Sequence, residues 1–372
     1  MEEKIQKLAK TIVNYSCKVK KNEKVLIECS DNAQKLATAL IDEIYKVGGY
    51  PFVHLSNKSI ERKLMLGTSV EHTKLRSKYM LNIMKDMDAY IGISSSDNVY
   101  ELSDVPDEKM QIYSLYYAKP VHYDERVNNT KWVILKFPSD GVAQLARKSS
   151  EEFEKYYFDV CNLDYQKMNN AMDALKKLMD KTDKVHIISP NTDITFSIKG
   201  IGSIKCAGEM NIPDGEVYTA PVKDSVNGVI TYNIPTMYDG KRFDDVSLTF
   251  KNGKIIDAKC SSGGNIALNK ILDTDDGSRY VGEFAIGVNP YITEPMLDIL
   301  FDEKICGSIH FTPGASYDDA FNGNKSAVHW DMVLCQRKEY GGGEIWFDDV
   351  LIRKDGIFVL EELKELNPEN LK

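Results

Sequence analysis

The sequence predicts two domains: an α/β N-terminal domain with a parallel sheet (residues 1–183), and an α+β, hairpin-rich C-terminal domain (residues 184–372). Three observations carry this. A length of 372 residues exceeds what one typical core organises. In the first half, short apolar runs alternate with amphipathic helical stretches, the texture of a parallel sheet with crossover helices. In the second half, alternating runs flank Asn252-Gly253 and Asp355-Gly356, pairs that favour tight hairpin turns.

Taken in order, Ile5, Leu8, Ala9, Ile12 and Val13 recur at helical spacing, and KVLIE near residues 24–28 suits a strand. Asp31 is placed to cap a helix whose apolar face is Leu36, Ala37, Leu40, Ile41 and Ile44, with Gly48-Gly49 ending it. PFVHL (51–55), AYIGI (89–93) and WVILKF (132–137) read as further strands, with charged helical sequence between the first two. No G-x-G-x-x-G or G-x-x-x-x-G-K-[ST] follows a strand, so no nucleotide cofactor is expected. His54, His72 and His122 stand without ligand-type spacing and read as structural. Residues 150–183 read as helical, with Met168, Met172, Leu175 and Met179 as a packing stripe, and this helix is expected to bridge the domains.

Beyond Lys184, VHIISPNTDITFSI (185–198), SLTFKNGKIIDAK (247–259) and VLIRKDGIFV (350–359) read as hairpins, with His186 in a core strand. TEPMLDILF (293–301) reads as a helix with a threonine cap and an early proline. SIHF (308–311) reads as a short strand carrying His310. SAVHWDM (326–332) reads as another; on a strand, His329 and Asp331 share one face while Val328 and Trp330 take the other.

Composition narrows the function. A net charge of −9 argues against a nucleic-acid partner, since phosphate binding needs a basic face. No apolar run is long enough to span a membrane, and the opening MEEKIQKLAK lacks the apolar stretch of a signal peptide. Seven scattered cysteines without C-x-x-C read as reduced thiols in a cytoplasmic protein.

Two glutamates lie in segments that are not economical scaffold: Glu216 in PDGEVYTAP and Glu283 in VGEFAIGVNP. With Glu303, His310, His329 and Asp331 they form a set of imidazoles and carboxylates suited to zinc, cobalt, manganese or magnesium. Four carboxylates gather in one pocket only when cations offset them. Two histidines and four carboxylates suffice for a pair of divalent ions, which can activate a water and polarise a carbonyl. Residue types and spacing alone thus point to a metal-dependent hydrolase.

The second half further resembles the thermophilic aminopeptidase family, two-metal enzymes of the aminopeptidase T and S type. The matching text is GEVYTAP at Glu216, the GE opening an apolar strand at Glu283, DEK at Glu303, His310 with Tyr317 seven residues on, and N-K-S-x-x-H-x-D-M around His329 and Asp331. Glu303 stands farther from His310 than in longer family members. The resemblance implies metal ligation by Glu216, Glu283, Glu303, His310, His329 and Asp331, with Glu283 bridging, and catalytic assistance from Tyr317. It also implies a homodimer and release of N-terminal residues from short peptides. Two alternatives remain open at this point: a two-metal phosphoesterase or non-peptide amidase, with Lys304 and Lys325 near enough to grip a phosphate, and a non-catalytic acidic binding protein.

Overall fold

The computed structural model describes residues 1–238 and 240–372. The chain divides into two compact units, residues 1–162 with 208–212, and residues 163–207 with 213–372. The stretch expected as one helical segment from 150 to 183 is two helices, Ser150–Cys161 and Tyr165–Met179. Asp164 separates them by accepting from the Lys167 backbone N–H at 3.0 Å, a side-chain cap that starts the second helix afresh. This second helix belongs to the second unit, where Met168, Met172, Leu175 and Met179 are buried.

The first unit holds a parallel sheet of β1 (Lys24–Ser30), β2 (Tyr50–Ser56), β3 (Ala89–Ser94) and β4 (Lys131–Lys136), in the order β2-β1-β3-β4. A two-residue strand, Asn211–Ile212, adds to β4 in parallel. Helices Gln34–Lys46, Lys58–Gly67 and Val70–Asp86 fill the crossovers. Their starts differ in chemistry. Asn57 and Ser69 cap the second and third through their side chains. The first begins at Ala33 with no side-chain cap. Asp31, expected in that role, instead accepts from Asn57 Nδ2 at 2.6 Å. Leu26, Met84, Tyr90, Tyr117 and Val121 build a core on this sheet. At the sheet edge β2 is largely open, with Phe52, Val53 and Leu55 exposed.

The second unit is antiparallel. Its larger sheet has eight strands in the order 254–259, 247–251, 227–231, 192–197, 184–189, 344–347, 350–354 and 357–358. The hairpins close where Asn-Gly and Asp-Gly stand, with both residues of each turn at positive φ. His186, expected in the core, is partly exposed and meets Asp193 across its hairpin at 2.8 Å.

The smaller sheet carries the chemistry. Its strands are β5 (Ile204–Cys206), β6 (Glu216–Thr219), β7 (Val281–Gly287), β8 (Ser308–Pro313) and β9 (Val333–Cys335), in the order β9-β8-β7-β6-β5. Strands β7 and β8 are buried along their whole length, so they read as continuous apolar runs broken by a few polar residues. One face presents Phe284 and Phe311, whose rings pack on Phe196 of the eight-stranded sheet, each at 5.0 Å between centroids. The buried Tyr232 hydroxyl donates to the Phe311 carbonyl at 2.6 Å. Alternation along the strands then sends Glu283, His310 and Thr312 to the opposite face.

Two expectations fail here for identifiable reasons. The helix expected over 293–301 is one turn, Ile299–Asp302. Asp302 accepts from the backbone N–H groups of Met296 at 2.7 Å and Asp298 at 3.3 Å, and Leu297 sits at φ +58°, so the preceding chain is folded around a carboxylate. Residues 326–332 form no ladder strand; His329 makes a single bridge to Gly314. Asp275 takes the Ala327 N–H at 2.6 Å and the Ser326 hydroxyl at 2.8 Å, which diverts that segment from sheet pairing.

Candidate metal centre

Five of the residues singled out from the sequence reach one face of the smaller sheet and the loops beside it. Glu216 opens β6, Glu283 lies on β7 and His310 on β8. His329 and Asp331 come from the loop before β9. Although that loop is not a strand, Val328 and Trp330 turn inward and are buried, which leaves His329 and Asp331 on the other side. The Trp330 indole N–H donates to the Thr236 hydroxyl at 2.9 Å and fixes the alternation.

Two glycines make this convergence possible. Gly282 precedes Glu283 at a register shift in the β7–β8 pairing, and a Cβ there would lie 2.0 Å from the Ala315 carbonyl oxygen. That same carbonyl accepts from His329 Nδ1 at 2.8 Å. Gly314, at φ +112°, leaves room for the Val328 carbonyl. Asn324 secures the loop by donating to the Gly277 carbonyl at 2.9 Å and the Gly314 carbonyl at 2.6 Å.

The side chains fall into two trios that share Glu283. Ligand atoms of Glu216, Glu283 and His310 lie within 4.8 Å of one another, as do those of Glu283, His329 and Asp331. His310 Nε2 is 3.0 Å from Glu283 Oε1. His329 Nε2 is 3.3 Å from Glu283 Oε2 and 3.3 Å from Asp331 Oδ1. Both imidazoles have Nδ1 against a backbone carbonyl, Glu303 for His310 at 3.3 Å and Ala315 for His329. A proton held on Nδ1 leaves Nε2 as the electron-pair donor, the arrangement of a metal-ligating histidine. Thr312 steadies the set by donating its hydroxyl to Asp331 Oδ1 at 2.7 Å.

The electrostatics register a demand for positive charge. Burial alone would lower the His310 pKa, yet Glu216 and Glu283 more than offset it and push it up to about 10. His329 is likewise raised well above its ordinary value; burial opposes the shift, but Asp331 and Glu283 prevail. Burial lifts Glu303 to about 8, with Glu216 and Asp331 adding to the rise against Lys304. Glu283 is lowered: burial would raise it, and its contacts with the two histidines dominate. Two buried atoms, Glu216 Oε2 and His329 Nε2, have no hydrogen-bond partner among the described residues. Orphaned donors of this kind, in a buried set of oxygens and imidazoles, fit divalent cations.

Glu303 stands apart from the trios. Its carboxylate contacts the ammonium of Lys304, which also lies 2.9 Å from Glu216 Oε1. Tyr317 borders the centre, its ring 4.7 Å from that of His329. Although the residue is 48% exposed, its hydroxyl end faces the carboxylates, and its phenol is raised above the ordinary tyrosine value by desolvation first and then by Glu283 and Asp331. Sequence reasoning passed over Asp214 and Thr312. Asp214 is two residues before Glu216 on a buried loop, and Thr312 is two residues after His310 on the same face, so strand periodicity from His310 could have found the latter.

Comparison with known proteins agrees with this chemistry. Residues 1–357 match the family described as thermophilic metalloprotease (M29). Aminopeptidase AmpS of Bacillus subtilis is 24% identical over 367 residues, spanning 89% of this chain and 88% of its own. Aminopeptidase T of Thermus thermophilus is 23% identical over 376 residues, spanning 89% and 92%. Wild-type AmpT from Thermus thermophilus superposes with a TM-score of 0.82 at 21% identity, over 96% of this chain and 99% of that one. A 2,5-dihydroxypyridine dioxygenase from Pseudomonas putida KT2440 shares the fold at a TM-score of 0.61 and 12% identity, covering 98% and 99% of the two chains, so the fold by itself does not select the reaction. The match along nearly the whole length selects it: the chain belongs to the M29 family of thermophilic metalloproteases and is a metal-dependent peptide hydrolase.

Proposed function

We propose that this chain is an aminopeptidase that binds two divalent metal ions and releases N-terminal residues from short peptides. The observation that carries the reading is the pair of ligand trios joined at Glu283. In it, Glu216, Glu283 and His310 hold one ion, and Glu283, His329 and Asp331 hold the other, with Zn, Co, Mn and Mg all suited to such oxygen and imidazole donors. Bound there, divalent ions supply Lewis acidity, lowering the pKa of a water and polarising a carbonyl.

The protein's own groups supply the rest. Glu283, common to both trios, is placed to receive the proton that the attacking water gives up. Tyr317 keeps its phenolic proton and can donate a hydrogen bond to the carbonyl oxygen as that atom gains charge. The relatives named as aminopeptidases support exo-specificity.

A phosphoesterase is disfavoured by the lysines. Lys304 is engaged by Glu216 and Glu303, and Lys325 Nζ lies over the Phe321 ring, 5.9 Å from its centroid. Family membership disfavours a purely binding role. Seven free cysteines support a reducing, cytoplasmic setting, and among the described residues no helix is long and apolar enough to cross a membrane. A homodimer is part of the same reading, supported by resemblance.

The test is hydrolysis of aminoacyl-anilides and their N-acetyl counterparts by protein stripped with chelator and reloaded with each metal. Cleavage of free-amine substrates alone, restored by metal, supports the reading. Equal cleavage of blocked substrates would point to an endopeptidase or amidase, and absence of cleavage with metal bound would overturn it.

A further inference from the structure

Lys304 is a buried cation that neither the trios nor the hydrolytic chemistry employs. It is 1% exposed, and its ammonium faces three carboxylates: Glu216 Oε1 at 2.9 Å, Asp214 Oδ1 at 3.8 Å, and Glu303 in closer contact. Burying a lysine without such partners is strongly unfavourable, so these contacts hold it in place. The position is telling because Cys206, Asp214 and Glu216 themselves have ligand atoms within 4.8 Å of one another and could form a third metal trio. Cys206 and Glu216 stand opposite each other in the β5–β6 register, so the thiol is delivered by the sheet. Glu216 belongs to this set and to the His310 set alike, and it has only two oxygens. Lys304 takes Oε1; Oε2 is left without a hydrogen-bond partner, 3.5 Å from His310 Nδ1.

We propose that Lys304 is a positioning residue that confines divalent metal to the two trios sharing Glu283. Its ammonium occupies the side of Glu216 where Cys206 and Asp214 would compete, and so leaves Glu216 Oε2 free for the trio with Glu283 and His310. The inference rests on the metal reading of the trios given above. A fixed +1 charge also matters chemically, since a soft thiolate next to the site would favour zinc and other thiophilic ions over magnesium or manganese. Lys304 keeps the working donor set to oxygen and nitrogen.

Cobalt(II) reports on this directly, because thiolate ligation adds a sulfur-to-metal charge-transfer band in the near ultraviolet. Chelator-stripped wild type, Lys304→Met, Lys304→Arg and Cys206→Ser would be titrated with cobalt, with far-ultraviolet circular dichroism confirming each fold. Wild type is expected to take up two ions without a sulfur band, and Cys206→Ser to match it within about twofold in affinity. Lys304→Met should gain the sulfur band and lose about 10- to 100-fold in affinity at one of the two sites. Lys304→Arg should retain wild-type stoichiometry and spectrum. A Lys304→Met spectrum and affinity equal to wild type overturn the proposal. So does a sulfur band in wild type, or weakened cobalt binding by Cys206→Ser, and these two readouts stand even if Lys304→Met fails to fold. No cobalt uptake by wild type would sink the metal reading itself, and this inference with it.

Discussion

Glu283 and His310 face each other from neighbouring strands, Oε1 to Nε2 at 3.0 Å, with side chains 4% and 1% exposed. The other oxygen of Glu283 reaches His329, so this one carboxylate links both halves of the centre. Glu283→Gln keeps the shape and removes the charge. Activity should fall by about 10²–10⁴-fold, the range for losing a group that carries a proton in the reaction. Metal content should fall below the wild-type stoichiometry, read by elemental analysis of the dialysed protein, while circular dichroism stays unchanged.

The Thr312 hydroxyl meets the centre through Asp331. Thr312→Val removes its hydroxyl from a buried position and leaves the volume nearly constant. Affinity for metal should weaken about 10- to 100-fold, as expected when an orienting partner of a ligand is lost. At saturating metal the turnover rate should return close to wild type, and a metal titration of activity separates the two effects.

Tyr317→Phe should do the reverse. Loss of a hydrogen-bond donor aimed at a developing oxyanion costs about 10²–10³-fold in kcat. KM and metal stoichiometry should be unchanged. A rise in KM alone would instead assign Tyr317 to substrate binding.

The first unit offers a pH test that involves none of the residues of the metal centre. His54 Nδ1 lies 3.7 Å from Glu28 Oε1. Contact with Glu28 raises the His54 pKa above its ordinary 6.5, against burial. Burial would raise Glu28, but His54, His122 and the Tyr90 hydroxyl hold it below its ordinary 4.5. The His54 contribution is therefore full below about pH 6.5 and is lost as pH rises through the folded-state value. The Glu28 contribution is present above about pH 4.5 and is lost as pH falls through its lowered value. Urea unfolding of chelated His54→Gln should show its largest deficit near pH 5.5 and almost none near pH 9. With His54 45% exposed the deficit should stay under about 1 kcal/mol. A deficit that grows with pH would contradict the pairing.

Much of this architecture is legible in the residues themselves, and the exceptions share a cause. The hairpins announce themselves because Asn252-Gly253 and Asp355-Gly356 meet a backbone requirement that is local. The parallel strands do so because β1 and β3 are apolar for as long as they are buried. The one-turn helix at Ile299–Asp302 and the loop at 326–332 are not legible, since each is shaped by a carboxylate, Asp302 or Asp275, that captures backbone N–H groups. A carboxylate's choice of partner leaves no periodic trace. The candidate centre divides in the same way. His329 and Asp331 declare a shared face by their spacing, and Glu216 and Glu283 stand out by their apolar settings. Lys304 next to Glu303 looks like an ordinary solvated pair, and only the tertiary fold encloses it.

The two-residue strand Asn211–Ile212 completes the first sheet by pairing with Ile134 and Leu135 of β4, some 75 residues earlier in the chain. A ribosome making this protein will have released all of residues 163–207, the second unit's early segment, before that sheet can close. Until then β4 carries an open edge, and truncations ending at 162 or 183 would carry it permanently. Expression of the N-terminal portion alone should therefore favour inclusion bodies, and a stable fragment would need residues 208–212 joined back by a short designed linker.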